Sequence, residues 1–299
     1  MKEIAFISIL IITTQISWGQ KIASRIDSIN SKEDIQKLIQ SLKGGEKFAL
    51  TVDTLYNQPF CKTDFDKNGF TDLLAIGGLP EYISGGGRDG IETRYYFHAL
   101  VVMNFGKDSF EIRNLSRSLI HSYAIIKIVN DTIITMNQND LIFKFGDFIE
   151  FNSHPKTYEI DKVEYQTTGC YGFCPVFRIE ISKDKTGTFE AKNYNSRAGI
   201  PILDFLEGKE DSALVKGTFK TVVNDDSYSN IIALLNYIDF PNLKDDYSVH
   251  WTDDQSCLLK ITYDNGKEKR ISDYGLIGTY GLDRLYQLFF ELRFNQNWK

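Results

Sequence analysis

The sequence predicts an α+β protein. A mostly antiparallel β N-terminal domain over residues 20–152 is followed, at residues 158–299, by an α+β domain with an antiparallel sheet and two helices. Three observations predict it. From Phe60 to Phe151 short runs rich in Val, Ile, Phe and Tyr alternate with turn residues. Asn152-Ser-His-Pro-Lys156 interrupts the apolar pattern, as a domain boundary does. Beyond it, one group of strands carries two segments of helical period.

Each element has a local reason. Met1 to Gln20 begins with Lys2, continues with a largely apolar run from Ile4 to Ile16, and ends on small residues at Ser17 and Gly19. This predicts a signal peptide over residues 1–19, cleaved after Gly19. The run is shorter than the ~20 residues that span a hydrocarbon core. The mature chain is therefore expected to be exported, periplasmic or secreted, with no transmembrane segment left after cleavage. Next, Ser31 is an N-cap for a helix through Leu42, with Ile35, Leu38, Ile39 and Leu42 on one stripe. Gly106-Lys-Asp108, Asn130-Asp131 and Gly146-Asp147 are hairpin turns between apolar runs.

In the second half, strands are predicted at Ile160 to Gln166, Val176 to Ile181, Thr188 to Tyr194 and Gly217 to Val223. Along Val176 to Ile181, Phe177, Ile179 and Ile181 share one face and Arg178 and Glu180 the other. Asn224-Asp225-Asp226 introduces a helix carrying Ile231, Leu234, Leu235 and Ile238. Two strands flank the hairpin signal Asp264-Asn265-Gly266. A last helix runs from about Leu282 to Phe294.

Composition narrows the function. The 299 residues hold 34 Lys+Arg against 40 Asp+Glu, a net charge of -6, which opposes nucleic-acid binding. An envelope or extracellular ligand is the expected partner. The sequence offers no Gly-x-Ser-x-Gly, no His-Glu-x-x-His and no phosphate loop with lysine. A hydrolase therefore ranks third among the readings, and a non-enzymatic binding or envelope-structural protein first. Gly85-Gly-Gly87-Arg-Asp-Gly90 matches a dinucleotide fingerprint only formally, because a strand follows it where a helix is required, so it reads as a mobile loop. The acidic pairs Asp225-Asp226, Asp245-Asp246 and Asp253-Asp254 read as caps and turns.

Asp64-Phe-Asp-Lys-Asn-Gly-Phe-Thr-Asp72 places side-chain oxygens at positions 1, 3, 5 and 9, with Gly69 at position 6. A hard cation such as calcium needs six to eight oxygens from a tight turn. The expected ligands are Asp64, Asp66, Asn68, the carbonyl of Phe70, and Asp72, with calcium as the cofactor. Position 12 is Ala75, where a helix-loop-helix site has glutamate. The segment resembles the loops of FG-GAP and VCBS-type repeats of exported β-proteins, which hold calcium between strands.

Export also bears on Cys61, Cys170, Cys174 and Cys257, because thiols outside the cytoplasm usually oxidise. Cys170 and Cys174 are read first as a structural disulfide. The alternative is a periplasmic thiol-redox or copper-binding pair acting with His250, suggested by the Cys-x-x-x-Cys-Pro of Sco-type copper chaperones. In those chaperones a helix follows the motif, whereas Val176 to Ile181 alternates like a strand. A four-cysteine zinc site would need a second close pair, and Cys61 and Cys257 are isolated. His98 and His154 read as packed or surface residues.

Thr168-Gly-Cys-Tyr-Gly-Phe-Cys-Pro-Val-Phe177 resembles the Gly-Cys-x-Gly-x-Cys-Pro-x-aromatic signature of an uncharacterised family of exported bacterial proteins, domain of unknown function 6438. The likeness continues through Ile179 to Glu190, Trp251-Thr-Asp-Asp254, Ile261 to Tyr274 and the closing helix to Trp298. It implies no activity.

Overall fold

The structure, a computed structural model, describes residues 24–50, 60–84, 91–116, 124–127, 133–136, 138–195 and 214–299. The expected signal peptide, the expected loop at Gly85 to Gly90, His121 and the expected turn at Asn130-Asp131 lie outside the described residues. The protein is β-rich, with antiparallel sheets and, among the described residues, four α-helices.

Helices α1 (Arg25–Ser28) and α2 (Lys32–Gln40) open the described chain. Ser31 Oγ accepts the Asp34 amide and starts α2, and Ile35, Leu38 and Ile39 form its buried stripe. Strands β1 (Ala49–Leu50), β2 (Phe60–Thr63), β3 (Asp72–Ser84), β4 (Ile91–Asn104) and β5 (Phe110–Asn114) make the first sheet. Its path is β1-β3-β4-β5, and β2 also pairs with β3. β3 and β4 form a long hairpin, so two strands and no helix flank residues 85–90.

This sheet is buried on both faces. Leu73, Ala75, Leu100 and Val102 pack with α1 and α2. Leu74, Ile76, Ala99, Val101 and Met103 pack against Ile134, Met136, Leu141 and Phe148. That is why Leu73 to Ile76 and Ala99 to Met103 are unbroken apolar runs.

The second sheet is β6 (Ala124–Lys127), β7 (Ile133–Met136), β8 (Asn139–Lys144) and β9 (Asp147–Glu150), paired in that order. The turn between β8 and β9 is Phe145-Gly146, both at positive φ, one residue earlier than expected from sequence. Ile149 of β9 belongs to the core of the C-terminal half.

The third sheet has the order β13-β12-β11-β10-β15-β16-β14. These are β10 (Ile160–Thr167), β11 (Val176–Ser182), β12 (Thr186–Asn193), β13 (Gly217–Val222), β14 (Asp246–Ser248), β15 (Ser256–Tyr263) and β16 (Lys267–Tyr274). All pairs are antiparallel except β14 with β16. Asp264, Asn265 and Gly266 sit at φ 42°, 66° and 89° in the β15–β16 hairpin, the left-handed backbone such turns require.

One face of this sheet packs on α3 (Asp225–Tyr237) and α4 (Tyr280–Asn295) through Tyr165, Phe177, Ile179, Leu259, Leu234, Leu285 and Phe289. Asn224 caps α3 through the Ser227 amide, with Asp225 and Asp226 in the first turn. The opposite face carries Arg178, paired with Glu164 (2.6 Å), Glu180 (2.7 Å) and Glu190 (3.3 Å). Among the described residues, no helix is long and apolar enough to cross a membrane.

Candidate metal centre

The loop from Asp64 to Thr71 joins β2 to β3. Lys67 at φ 60° and Gly69 at φ 88° make its bend, and a Cβ on Gly69 would meet nothing within 4 Å, so glycine is there for its backbone freedom. The bend folds side chains back onto loop amides. Asp64 accepts the amides of Asn68 (3.0 Å) and Gly69 (2.8 Å), and Asp66 accepts the Asn68 amide (3.1 Å). Asn68 Oδ1 accepts the Phe70 amide (2.8 Å), while its Nδ2 donates to Asp66 Oδ2 (3.0 Å) and to the Asn104 carbonyl (2.8 Å).

Asp72 is fully buried at the start of β3. Its Oδ2 accepts the Phe65 amide and its Oδ1 the Asn104 amide, both at 2.7 Å. Neighbouring groups hold this geometry. Asn104 donates to the Thr71 carbonyl and accepts the Gly106 amide. Phe65 is buried edge-to-face on Phe148, centroids 5.3 Å apart. The Phe70 ring lies so close to Gly106 that a Cβ there would come within 2.4 Å of it.

Of the residues expected to hold an ion, Asp64, Asp66 and Asp72 are brought together, with one oxygen of each within 4.8 Å of the others. Two oxygens on opposite sides of a calcium ion, each at about 2.4 Å, lie roughly 5 Å apart, so the spacing fits a shared cation. Asn68 joins the cluster by hydrogen bonding to Asp66, and Phe70 by its amide. A carboxylate oxygen that accepts one N–H keeps a second lone pair for a metal. Burial, with Asp66 and Asp64 adding repulsion, pushes Asp72 up to about 7 against the two amide bonds that lower it. Asp66 is raised too, first by burial and then through its contact with Asp64. A bound divalent cation would remove that repulsion.

The cysteine turn lies between β10 and β11. Cys170 and Cys174 have their sulfurs at bonding distance, with Cα atoms 5.7 Å apart. The Tyr171 amide donates to the Asp253 carbonyl (3.0 Å), and Gln255 Nε2 to the carbonyls of Thr168 and Pro175 (both 2.8 Å). A strand follows the motif, as its alternation predicts. Tyr171 is exposed, and Phe173 stacks edge-on to Tyr194. His250 is exposed against Trp251 and belongs to no metal-ligating cluster of three or more among the described residues.

Cys61 is half-buried in β2 and Cys257 buried in β15, on different sheets, so the four cysteines form no joint site. Burial, then the nearby Asp273 carboxylate, pushes the Cys257 thiol up to about 12. Asp254 Oδ2 accepts the Trp251 indole N–H (2.9 Å), and Lys269 pairs with Asp245 (2.6 Å), so these acids are structural.

Two arrangements escaped the sequence reading. Glu150 at the end of β9 accepts the Tyr280 and Gly281 amides (2.6 and 2.8 Å), capping α4 from 130 residues away. Arg293 lies among the rings of Phe177, Phe290 and Phe294, at 4.9, 4.9 and 4.6 Å.

No curated protein and no solved structure matches the chain. In the C-terminal half, residues 161–293 match the family model described as domain of unknown function (DUF6438).

Proposed function

We propose that the chain is an exported, non-enzymatic binding or envelope-structural protein in two parts. Residues 20–152 form a mostly β part held by a calcium ion, and residues 158–299 an α+β part clamped by the Cys170–Cys174 disulfide. The observation that carries this reading is the cluster of Asp64, Asp66 and Asp72 around one point, Asp72 fully buried. Three converging carboxylates repel one another, and a divalent cation offsets that repulsion.

Such an ion would tie the β2–β3 loop to the β4–β5 turn, because Asp72 and Asn68 are both bonded to Asn104. Export is supported by the apolar run Ile4 to Ile16 after Lys2 and by a cysteine pair poised to bond, which persists in oxidising compartments. The structural role of Cys170 and Cys174 is supported by the backbone bonds that fix their turn on both sides.

Thermal unfolding tests the reading. For an ion bound at Kd about 10⁻⁴ M, the tight end of extracellular calcium modules, 10 mM calcium stabilises the fold by ~2.7 kcal/mol. At ~2–4 °C per kcal/mol for a chain of this size, the melting temperature rises by about 5–11 °C over a chelator control. Asp64→Ala abolishes the rise. Identical curves with calcium and chelator refute the site, and copper copurifying in stoichiometric amount replaces the structural reading of the cysteines with the metal-binding one.

A further inference from the structure

The closing helix ends beside a cleft of about 250 Å³ lined by Phe189, Val215, Phe219, Arg293, Phe294 and Trp298. Its charged group is the Arg293 guanidinium, and Gln296 and Asn297 add neutral polar groups to the rim. Nε donates to the Phe290 carbonyl (3.2 Å) and Nη1 to Asn195 Oδ1 (3.3 Å). Asn195 is itself held by its own bonds to the Val176 and Asn193 carbonyls, so it cannot turn away. A guanidinium has five N–H donors, and two of them are used here. No carboxylate pairs with Arg293 among the described residues. The three aromatic rings around it supply cation–π attraction but no acceptor for the remaining N–H groups.

The aromatic part of the wall is tightly packed. The Phe189 ring packs at a tilt against Phe219 and Trp298, and the Trp298 indole N–H is spent on the Leu292 carbonyl. The cleft therefore offers one fixed, partly desolvated cation beside an aromatic wall.

We propose that this cleft binds a small organic carboxylate with an aromatic or short aliphatic body, its carboxylate on the free N–H groups of Arg293 and its body against Phe219, Phe294 and Trp298. A planar guanidinium matches a carboxylate in two parallel hydrogen bonds, and low local dielectric strengthens them. Aromatic walls at Phe219, Phe294 and Trp298 reward an apolar body. With ~30 Å³ per water-sized group, the space holds about eight non-hydrogen atoms, the size of benzoate or hexanoate. Burial draws Arg293 down to about 10, which leaves it charged at neutral pH. The site does not involve the aspartate loop, so either can fail alone.

The test titrates benzoate and hexanoate into the full chain, followed by isothermal calorimetry and by Trp298 fluorescence. Benzyl alcohol and inorganic phosphate are the controls. Saturable 1:1 binding of the carboxylates is expected, with both controls at least tenfold weaker. Arg293→Gln should weaken the carboxylates at least tenfold. Since Arg293 also supports its aromatic neighbours, Val215→Phe provides a second arm that keeps the cation, fills the cleft and should abolish binding. The inference is overturned if neither carboxylate binds at millimolar concentration, if benzyl alcohol binds as well as benzoate, or if Val215→Phe binds unchanged.

Discussion

Glu150→Gln tests how the second sheet is joined to the helix that closes the chain. Both carboxylate oxygens of Glu150 accept backbone amides at the first turn of α4, from Tyr280 and Gly281. Hydrogen bonds to a charged group contribute ~1.5–3 kcal/mol each, and a negative charge at a helix N-terminus a further ~0.3–1 kcal/mol. Glutamine keeps one oxygen but turns an NH₂ onto the other amide, so one bond becomes a donor–donor contact and the charge is lost.

Thr279 still caps the helix through the Leu282 amide, which limits the damage. The expected cost is about 2–3 kcal/mol, or a melting temperature lowered by about 4–12 °C at ~2–4 °C per kcal/mol. Differential scanning calorimetry reads it, with Glu159→Gln as the control. Glu159 pairs with Lys183 in an exposed position, so its loss should change little. A Glu150→Gln transition within 2 °C of the control would refute the claim that this carboxylate anchors α4 to the second sheet.

Gly106→Ala should lower the melting temperature and weaken calcium binding together. Its φ of +78° and the Phe70 ring 2.4 Å from an added Cβ force the loop to shift, which paired melts with and without calcium will register. The Cys170→Ser, Cys174→Ser double variant should melt earlier by no more than the ~3 kcal/mol assigned to a 15-residue loop, and the native protein should not reduce insulin. Arg178 bonds Glu164 and holds its carboxyl below the usual range, so Glu164 stabilises the fold above its unfolded value of about 4.3 and loses that contribution as pH falls through the folded value. Arg178→Gln should therefore cost about 1 kcal/mol at pH 7 and almost nothing near pH 2 in denaturant titrations. Cys257 should resist iodoacetamide in the folded protein at pH 8 and react on unfolding, because burial holds its thiol protonated.

Local signals carried much of the fold into the sequence. Ser31 and Asn224 announce their helices because a cap is a contact within four residues, and Asp264-Asn265-Gly266 announces its hairpin because few residues accept left-handed backbone. The spacing of Asp64, Asp66 and Asp72 was legible for the same reason: the turn that gathers them is nine residues long. What was not legible depends on distant partners. β14 has three residues and exists only by pairing in parallel with β16. Leu73 to Ile76 reads as an apolar run, but only the tertiary structure shows α2 on one side and the second sheet on the other. Arg293 looks like an ordinary helix-terminal cation until Phe177, 116 positions earlier in the chain, is placed beside it.

Calorimetric titration of calcium into chelator-treated protein, with Asp64→Ala alongside, tests the central claim most directly. A cation held by Asp64, Asp66 and Asp72 predicts one calcium per wild-type chain and no saturable heat in the variant. Wild-type protein that takes up no calcium at millimolar concentration, or a variant that binds it as the wild type does, would contradict the account.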